Sequence, residues 1–450
     1  MDGIPPGHGH RRVGSRHRGG ERRTPRDAAR RGRKTRRSPG TDRHRFLLLR
    51  SAPLTTLVMF DDERADGWAP FALTRPCGEL VFGRWTLRER LERVARTRVA
   101  GHVTRPWLRR YAEPGAPRCL DADGLSAPCT AWNARAVPSL DAAWDDAPAN
   151  LWVAGRLAGV RLGADAGPPR AKWFAAPRPR PGLPDRDVPG VWLGQPWDLV
   201  SAGPDRLAAD LAAAPGPAPE LPDGCWRLGN APIRFGEGAQ VEPGVLFDAR
   251  EGPIELGPGV EVRAGTRLGG PLYAGAGSRL LGGHISSFSG GPRCRVRGEI
   301  DRVTMLGYSN KAHHGFLGHA YLGRWVNLGA ATVNSDLKHT YGSIRVGPPG
   351  RRRDTGLVKF GCLIGDHVKT GLGTRLETGT VVGAGSSLFG AEPPPRWVEP
   401  FSWGDGRDPE PHRRGDFLST AARVVERRGL EGTPEFRDWL GDMWDEARRP

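Results

Sequence analysis

Residues 254–268 read IELGPGVEVRAGTRL, and an aliphatic residue returns at every sixth position of this stretch, at Leu256, Val262 and Leu268. The same spacing links Phe235, Val241 and Phe247; Ala274 and Leu280; Phe316, Leu322 and Leu328; and Val358, Ile364, Thr370, Leu376, Val382 and Leu388. A period of six fits neither a helix nor a simple strand and is typical of hexapeptide β-helix coils. In such coils one apolar side chain per short strand points into a triangular prism, and glycines supply the turns. The sequence therefore predicts a left-handed parallel β-helix over residues 229–390.

Four further segments surround the repeat. Residues 54–175 alternate short apolar runs with helix-like stretches, which predicts an α/β domain. Residues 176–228 are rich in proline and indicate a linker that contains a short helix. Residues 391–450 hold apolar residues at helical spacing and predict a helical C-terminal tail. Residues 1–53 have few apolar side chains to bury, so we expect a disordered, Arg-rich tail.

The net charge of +17 is concentrated at one end of the chain. Residues 1–50 contain 16 Arg and Lys against four acids, so a nucleic-acid role would rest on this tail alone. The alternative is that the tail has no function. Six scattered cysteines without a C-x-x-C pair indicate a reducing cytoplasm, and the apolar runs are too short to cross a membrane.

Lysine and histidine cluster in one window of the repeat. Arg outnumbers Lys 61 to 6, yet four lysines fall within residues 311–369, together with five of the 12 histidines. An ammonium is a compact point charge suited to an anionic substrate, and an imidazole is a natural base for deprotonating an amine. A zinc site formed by the same histidines is the competing interpretation.

The same window resembles a known family. Residues 309–323, SNKAHHGFLGHAYLG, and residues 325–332, WVNLGAAT, resemble the acetyltransferase core of the GlmU-like enzymes. The likeness is to the variant branch of the bifunctional UDP-N-acetylglucosamine diphosphorylase and glucosamine-1-phosphate N-acetyltransferase. It implies an α/β nucleotidyltransferase-like domain before the β-helix, and a cytoplasmic homotrimer that binds acetyl-CoA between subunits.

The resemblance also implies roles for individual residues. His313 would be the general base that takes a proton from the amine of glucosamine 1-phosphate, and the amide of Ala330 would bind the thioester carbonyl of acetyl-CoA. The substrate-binding residues it implies are Arg297, Lys311, Asn327, Asn334 and Lys338. A second step with UTP would give UDP-N-acetylglucosamine.

The N-terminal domain departs from the common pyrophosphorylase pattern. No Gly-rich phosphate loop follows the first apolar run, where the chain instead has Asp61, Asp62 and Glu63. We expect Asp61 and Asp62 to hold Mg²⁺ if the nucleotidyl step is active, and Arg75 to bind the nucleotide phosphates. The alternative is that these residues serve turns and caps.

Two other functions compete with a bifunctional transferase. One is a metal-dependent β-helix enzyme of the carbonic-anhydrase type, which the histidine cluster favours. The other is a non-catalytic scaffold that binds a sugar nucleotide, which the missing phosphate loop favours. Neither function requires the protein to bind a membrane or a nucleic acid.

Overall fold

The computed structural model describes residues 55–214, 219–405 and 408–449 of the chain. The Arg-rich segment 1–53, which the sequence predicts to be disordered, lies outside the described residues. The described residues form one compact unit. Within the described residues, no helix is both long and apolar enough to cross a membrane.

The first domain is an α/β domain, as predicted. Its elements are β1 (Thr56–Phe60), β2 (Val81–Phe82), β3 (Trp85–Thr86), α1 (Leu87–Ala95), β4 (Val99–Val103), β5 (Cys129–Asn133), β6 (Ala136–Pro138), β7 (Ala149–Val153), β8 (Arg156–Leu162), α2 (Ala171–Ala175), β9 (Asp185–Asp187), β10 (Gly190–Trp192), α3 (Asp198–Ser201) and α4 (Gly203–Ala212). Six strands form one sheet in the order β4-β1-β5-β8-β7-β9. Strands β4, β1 and β5 are parallel, so their carboxyl ends meet at one edge.

Local chemistry explains where these elements begin. Thr86 caps α1, because its side chain accepts from the amide of Glu89 while the Glu89 carboxylate accepts from the Thr86 amide. The β1 strand is buried from Leu57 to Phe60 because both faces of the sheet are covered. Strand β9 pairs with β7 and β10 pairs with β6, so the first domain extends into the range that the sequence predicts as a linker.

A parallel β-solenoid of about 10 turns follows, over residues 226–405, which confirms the predicted β-helix. Its strands are β11 (Trp226–Leu228), β12 (Ile233–Phe235), β13 (Gln240–Val241), β14 (Leu246–Asp248), β15 (Ile254–Leu256), β16 (Glu261–Val262), β17 (Thr266–Ala274), β18 (Arg279–Gly290), β19 (Arg295–Met305), β20 (Asn310–Lys311), β21 (Phe316–Leu322), β22 (Val333–Asn334), β25 (Cys362–Ile364), β26 (Lys369–Thr370), β27 (Arg375–Leu376), β28 (Thr380–Val382), β29 (Ser387–Phe389), β30 (Trp397–Val398), β31 (Ser402–Asp405) and β32 (Glu410–Pro411), with the hairpin β23 (Arg345–Val346) and β24 (Arg353–Asp354) outside the coil.

The strands stack into three faces. Face 1 contains β13, β16, β20, β26 and β29; face 2 contains β11, β14, β22 and β27; and face 3 contains β12, β15, β25, β28 and β30. The longer strands β17, β18, β19 and β21 bend around the corners and contribute to more than one face. Most of the repeat positions named above point inward and are buried. Phe235 and Val241, near the start of the solenoid, are only partly buried. Phe316 faces outward beside the buried Leu317, and Val358 is exposed.

Face 3 packs against the first domain. The Tyr321 hydroxyl accepts from the Val81 amide at 2.8 Å and donates to the Val81 carbonyl at 3.0 Å, and Ser289 Oγ donates to the Gly83 carbonyl at 2.6 Å. The chain between β22 and β25 also contributes Ile344 to the core of the first domain. One hydrophobic cluster therefore joins the first domain to face 3, and it is separate from the interior core of the solenoid.

The C-terminal helices α5 (Arg414–Glu426) and α6 (Pro434–Glu446) cover the corner between face 3 and face 1. At this corner Tyr308, Trp325, His367 and Phe401 have left-handed backbone φ between 55° and 64°. Glycine would adopt this conformation without strain, so each side chain has a steric cost of about 1–2 kcal/mol. The cost is offset by burial, because these rings pack against the two helices.

Candidate functional site

His313 lies in the exposed bend between β20 and β21, where face 1 turns into face 2. Arg297 occupies the same corner one turn earlier, because β19 and β20 pair in parallel immediately before it. Ala330 occupies the same corner one turn later. Asn310 and Asn327 form a parallel β-bridge on face 1, and His313 and Ala330 each follow three residues after it. These three residues, stacked on successive turns, define the His313 corner.

Asn327 borders a groove of about 470 Å³ between face 1 and α5, which we call the α5 groove. Its side chain is exposed, and its Oδ1 accepts from Asn310 Nδ2 at 2.9 Å. Five cationic side chains line the groove: Arg295, Lys369, Arg423, Arg427 and Arg428. None of the described residues that line it is acidic.

The cations of the groove are poorly compensated. Burial, followed by the neighbouring charge of Arg295, lowers the pKa of Arg428 below its ordinary value. Burial lowers the pKa of Lys369 to about 8, and its Nζ donates to the His367 carbonyl at 3.1 Å. Arg428 Nη2 donates to the side-chain oxygen of Asn310 at 2.6 Å. A field of this kind attracts an anionic group such as a phosphate.

The groove and the corner are close neighbours along the chain. Asn327 stands three residues before Ala330, and an extended chain spans at most about 10 Å over three residues. Asn327 and the His313 corner are therefore separated by no more than about 10 Å of backbone.

Lys311 does not face the groove. It occupies an inward position of face 1 and is fully buried, with 0% of its surface exposed. Its Nζ donates to the carbonyls of His313 at 2.5 Å and His314 at 3.2 Å. The sequence predicts Lys311 as a substrate-binding residue, but its ammonium lies inside the prism, where a substrate has no access.

Asn334 and Lys338 are also placed differently from the prediction. Asn334 points inward and uses its side-chain amide on the backbone of Gly318, accepting from its amide and donating to its carbonyl, both at 2.8 Å. Lys338 Nζ donates to the Ser343 carbonyl and does not line the α5 groove. The side-chain amide of Asn334 pairs with the backbone through both its oxygen and its nitrogen, which suits a structural role.

Arg75 joins the first domain to the solenoid. Its guanidinium pairs with Asp366 at 2.7 Å and with Glu113 at 3.2 Å, and all three side chains are 1% exposed. Burial alone would raise the pKa of Asp366, but Arg75 and a hydrogen bond from Thr74 hold it below its ordinary value. The predicted role in nucleotide binding is therefore not supported, because no free donor face remains toward solvent.

The carboxylates of Asp61 and Asp62 do not form a common Mg²⁺ site. Asp61 accepts from the Cys77 amide and from Thr104 Oγ1, and pairs with Arg105 at 3.2 Å. Asp62 caps the following helical turn and pairs with Arg135. The two acids have separate, complete sets of partners, so they do not fit the predicted ion. The turn and cap roles, left open above, describe them better.

A second cavity, of about 480 Å³, lies at the edge where the parallel strands β1 and β5 end. Four arginines line it: Arg64, Arg135, Arg156 and Arg178. Arg135 and Arg156 lie 5.0 and 5.8 Å from the ring centre of Trp192. Ligands of open α/β sheets bind at such carboxyl ends. We call this cavity the arginine pocket.

The described residues offer little to a metal. No group of three or more His, Cys, Asp or Glu side chains among them is arranged to hold an ion. The histidines of the window are dispersed: His313 is exposed, His319 pairs with Asp336 at 2.7 Å, and His367 is buried under α5. The described histidines of a single chain therefore do not form a zinc site.

The arginines of both cavities were not singled out by the sequence patterns. Arg423 and Arg427 stand four residues apart on α5, which places them on one helix face, and this spacing was the available signal. The arginines of the arginine pocket come from separate loops and strands. They carry no local spacing that could have identified them.

Comparison with known proteins agrees with this architecture. The family model for sugar nucleotidyl transferases matches residues 57–215. A bifunctional sugar-1-phosphate nucleotidylyltransferase/acetyltransferase of Sulfurisphaera tokodaii is 28% identical over 91 residues, covering 20% of this chain and 23% of that protein. The bifunctional protein GlmU of Prochlorococcus marinus is 30% identical over 167 residues, covering 34% and 32%. That of Pelobacter propionicus is 25% identical over 235 residues, covering 48% and 44%.

These matches each span less than half of the relative's length. The family model places a nucleotidyltransferase domain before the parallel β-solenoid of the structure. Residues 57–215 form a sugar nucleotidyl transferase domain, and the chain is similar to the GlmU-like family of bifunctional proteins.

Proposed function

We propose that the solenoid transfers the acetyl group of acetyl-CoA to the amine of a sugar phosphate, with glucosamine 1-phosphate as the candidate acceptor. The observation that carries the proposal is the α5 groove, whose lining holds five cations and no acid among the described residues. It opens beside Asn327, three residues from the His313 corner. The groove would hold the phosphate while the amine reaches the corner.

The chemistry needs only groups that the corner supplies. The unprotonated amine attacks the thioester carbonyl, His313 takes the proton that the nitrogen loses, and the C–S bond breaks to release CoA. The Ala330 amide would donate to the carbonyl oxygen as it gains negative charge. Asn327 would hold the sugar hydroxyls, and Arg297 would add a charge beside His313. No covalent intermediate with the protein is needed.

The exposure of His313 fits a site that a second subunit completes. In this proposal a cytoplasmic homotrimer places the corner of one chain against a neighbouring solenoid. Acetyl-CoA would then lie between subunits. Sedimentation of the purified protein, with a mass near three times the chain mass of 48.8 kDa expected, tests the assembly.

The first domain would bind UTP in the arginine pocket. Asp62 and Glu63 also line the pocket, and Asp62 pairs with Arg135. The other three arginines would supply the charge that a Gly-rich loop supplies elsewhere, and Trp192 would supply an aromatic surface. Asp61 and Asp62 do not fit Mg²⁺, so we derive no nucleotidyl step through that ion. Formation of UDP-N-acetylglucosamine and pyrophosphate from UTP tests turnover.

A non-catalytic first domain is the second candidate. The observation that favours it is that Asp61 and Asp62, the first two acids after β1, already pair with arginines of this domain. Calorimetric titration with UTP and UDP-N-acetylglucosamine, alongside a pyrophosphate assay, separates the two. Binding without pyrophosphate release supports the binding role, and release rejects it.

The acetyl-transfer proposal is tested by release of free CoA thiol from acetyl-CoA with glucosamine 1-phosphate. His313→Ala should lower the rate at least about 10²-fold. His284→Ala is the matched control, because His284 is an exposed histidine of face 2, outside the corner and the groove. Equal, sugar-dependent rates in wild type and His313→Ala would remove His313 from the mechanism.

A further inference from the structure

The inward column of face 1 contains one charged residue. Going along the solenoid, the positions that stack on one another are Leu280, Val296, Lys311, Leu328, Thr370 and Leu388. A lysine in such a column is costly, because its charge leaves water for an apolar interior. Burial accordingly lowers the pKa of Lys311 to about 8.

The ammonium is compensated by backbone oxygens. Lys311 Nζ lies 2.5 Å from the carbonyl oxygen of His313, 3.2 Å from that of His314 and 3.5 Å from that of Arg297. No carboxylate pairs with it among the ion pairs of the described residues. Three N–H donors therefore serve three carbonyls, two in the bend between β20 and β21 that contains His313 and one on Arg297 in the turn before it.

The bend between face 1 and face 2 is longer after Lys311 than in the turn before it. Two residues separate Val296 from the next face-2 position, Glu299, whereas four separate Lys311 from Phe316. The longer bend projects outward and exposes both histidines. Gly315 makes the close approach possible, since a Cβ there would lie 3.3 Å from Lys311 Nζ and 2.6 Å from the Thr332 carbonyl oxygen. A long exposed bend has few side-chain contacts of its own to fix its backbone.

We propose that Lys311 is a positioning residue for acyl transfer, whose ammonium holds the backbone of the His313 bend from inside the prism so that the imidazole faces the acceptor amine. The inference rests on the proposed role of His313 as base. It replaces the substrate-binding role predicted for Lys311. A guanidinium donates its hydrogen bonds within one plane, whereas a tetrahedral ammonium can donate in three directions. This difference accounts for a lysine at this position in a chain that otherwise uses arginine.

The first test is a double-mutant cycle in the acetyl-transfer assay. Lys311→Met keeps the length of the side chain and removes its donors. We expect kcat to fall about 10- to 100-fold with KM for the sugar phosphate unchanged, because a displaced base slows the chemical step without weakening binding. The double variant with His313→Ala should be no slower than His313→Ala alone, because Lys311 acts only through His313.

Leu280→Ala is the matched control, since Leu280 is buried two turns earlier in the same column. It should lower the melting temperature while the folded protein keeps its kcat. Lys311→Gln serves if Lys311→Met does not fold, because a side-chain amide keeps two donors. It should retain a kcat between those of wild type and His313→Ala.

The outcomes separate the two proposals. Multiplicative losses in the double variant, or a folded Lys311 variant with wild-type kcat, would overturn the positioning role and leave His313 as base. Full activity of His313→Ala would instead overturn the proposed mechanism itself. A fall in kcat for Lys311→Met that disappears in the His313→Ala background supports both.

Discussion

Replacing Arg75 by methionine should destabilise the protein strongly. The substitution keeps an unbranched side chain but removes the cation between Asp366 and Glu113, each 1% exposed. Both carboxylates retain other donors: Asp366 accepts from Thr74 Oγ1 at 2.6 Å, and Glu113 pairs with Arg324 at 3.0 Å. One cation would then face two buried negative charges.

The magnitude follows from that imbalance. Removing one partner of a buried ion pair costs about 3–5 kcal/mol, and the remaining donors place the value at the lower end. We therefore expect the free energy of unfolding to fall by about 3 kcal/mol, which is roughly a 100-fold change in the folding equilibrium. Since Arg75 and Glu113 lie in the first domain and Asp366 in the solenoid, the loss should loosen the contact between them.

Urea unfolding at pH 7 measures the effect. Arg110→Met is the matched control, because Arg110 also pairs with two carboxylates, Asp438 and Asp442, but is 52% exposed. An exposed pair contributes about 0–1 kcal/mol, so the control should unfold near the wild-type midpoint. Equal small losses in both variants would refute the reasoning. Binding of UTP by folded Arg75→Met should be unchanged, and its loss would restore the predicted nucleotide role.

Three further changes test other parts of the structure. Asn334→Ala should destabilise the protein by about 1–3 kcal/mol, because it leaves backbone groups of Gly318 unpaired. An unchanged urea midpoint together with a raised KM for the sugar phosphate would instead support a role of Asn334 in substrate binding. Arg427→Gln in the α5 groove should raise KM for the sugar phosphate about 10-fold with kcat unchanged. The control Arg437→Gln, on the exposed side of α6, should change neither constant. Identical kinetics in both variants would exclude the groove as the phosphate-binding site. Burial lowers the pKa of His367 to about 3 in the folded protein. Below about pH 6.5 the unfolded chain therefore binds a proton at this histidine that the folded chain does not bind. The free energy of unfolding should fall by about 2 kcal/mol between pH 7.5 and 5. His367→Phe should remove that part of the loss, and urea midpoints with the same pH dependence as wild type would contradict this.

The sequence predicted the elements that depend on local pattern. One helix of the predicted α/β domain runs over Leu87–Ala95, and the predicted helical tail contains helices over Arg414–Glu426 and Pro434–Glu446. The period of six predicted the solenoid because each coil repeats the same local choice, an apolar inward residue followed by a turn. The resemblance to the GlmU-like family rested on short contiguous motifs, and the comparisons confirm it.

The roles of single polar residues were harder to predict. Arg75 meets Asp366 across 291 positions of sequence, and no local pattern encodes that pairing. The α5 groove joins Asn327 to arginines about 100 positions later, at Arg423 and Arg427. These meetings depend on how the helices and the first domain pack against the solenoid.

The sequence by itself determined the two domain types, the repeat and the identity of the chemical groups, because composition, period and motif are local properties. The tertiary structure alone decided which way each side chain points. Lys311 shows the physical reason: a shift of one residue along a short strand exchanges the interior of a prism for its surface. Whether a lysine meets a substrate or supports the histidine bend from within is therefore decided by the register between neighbouring coils.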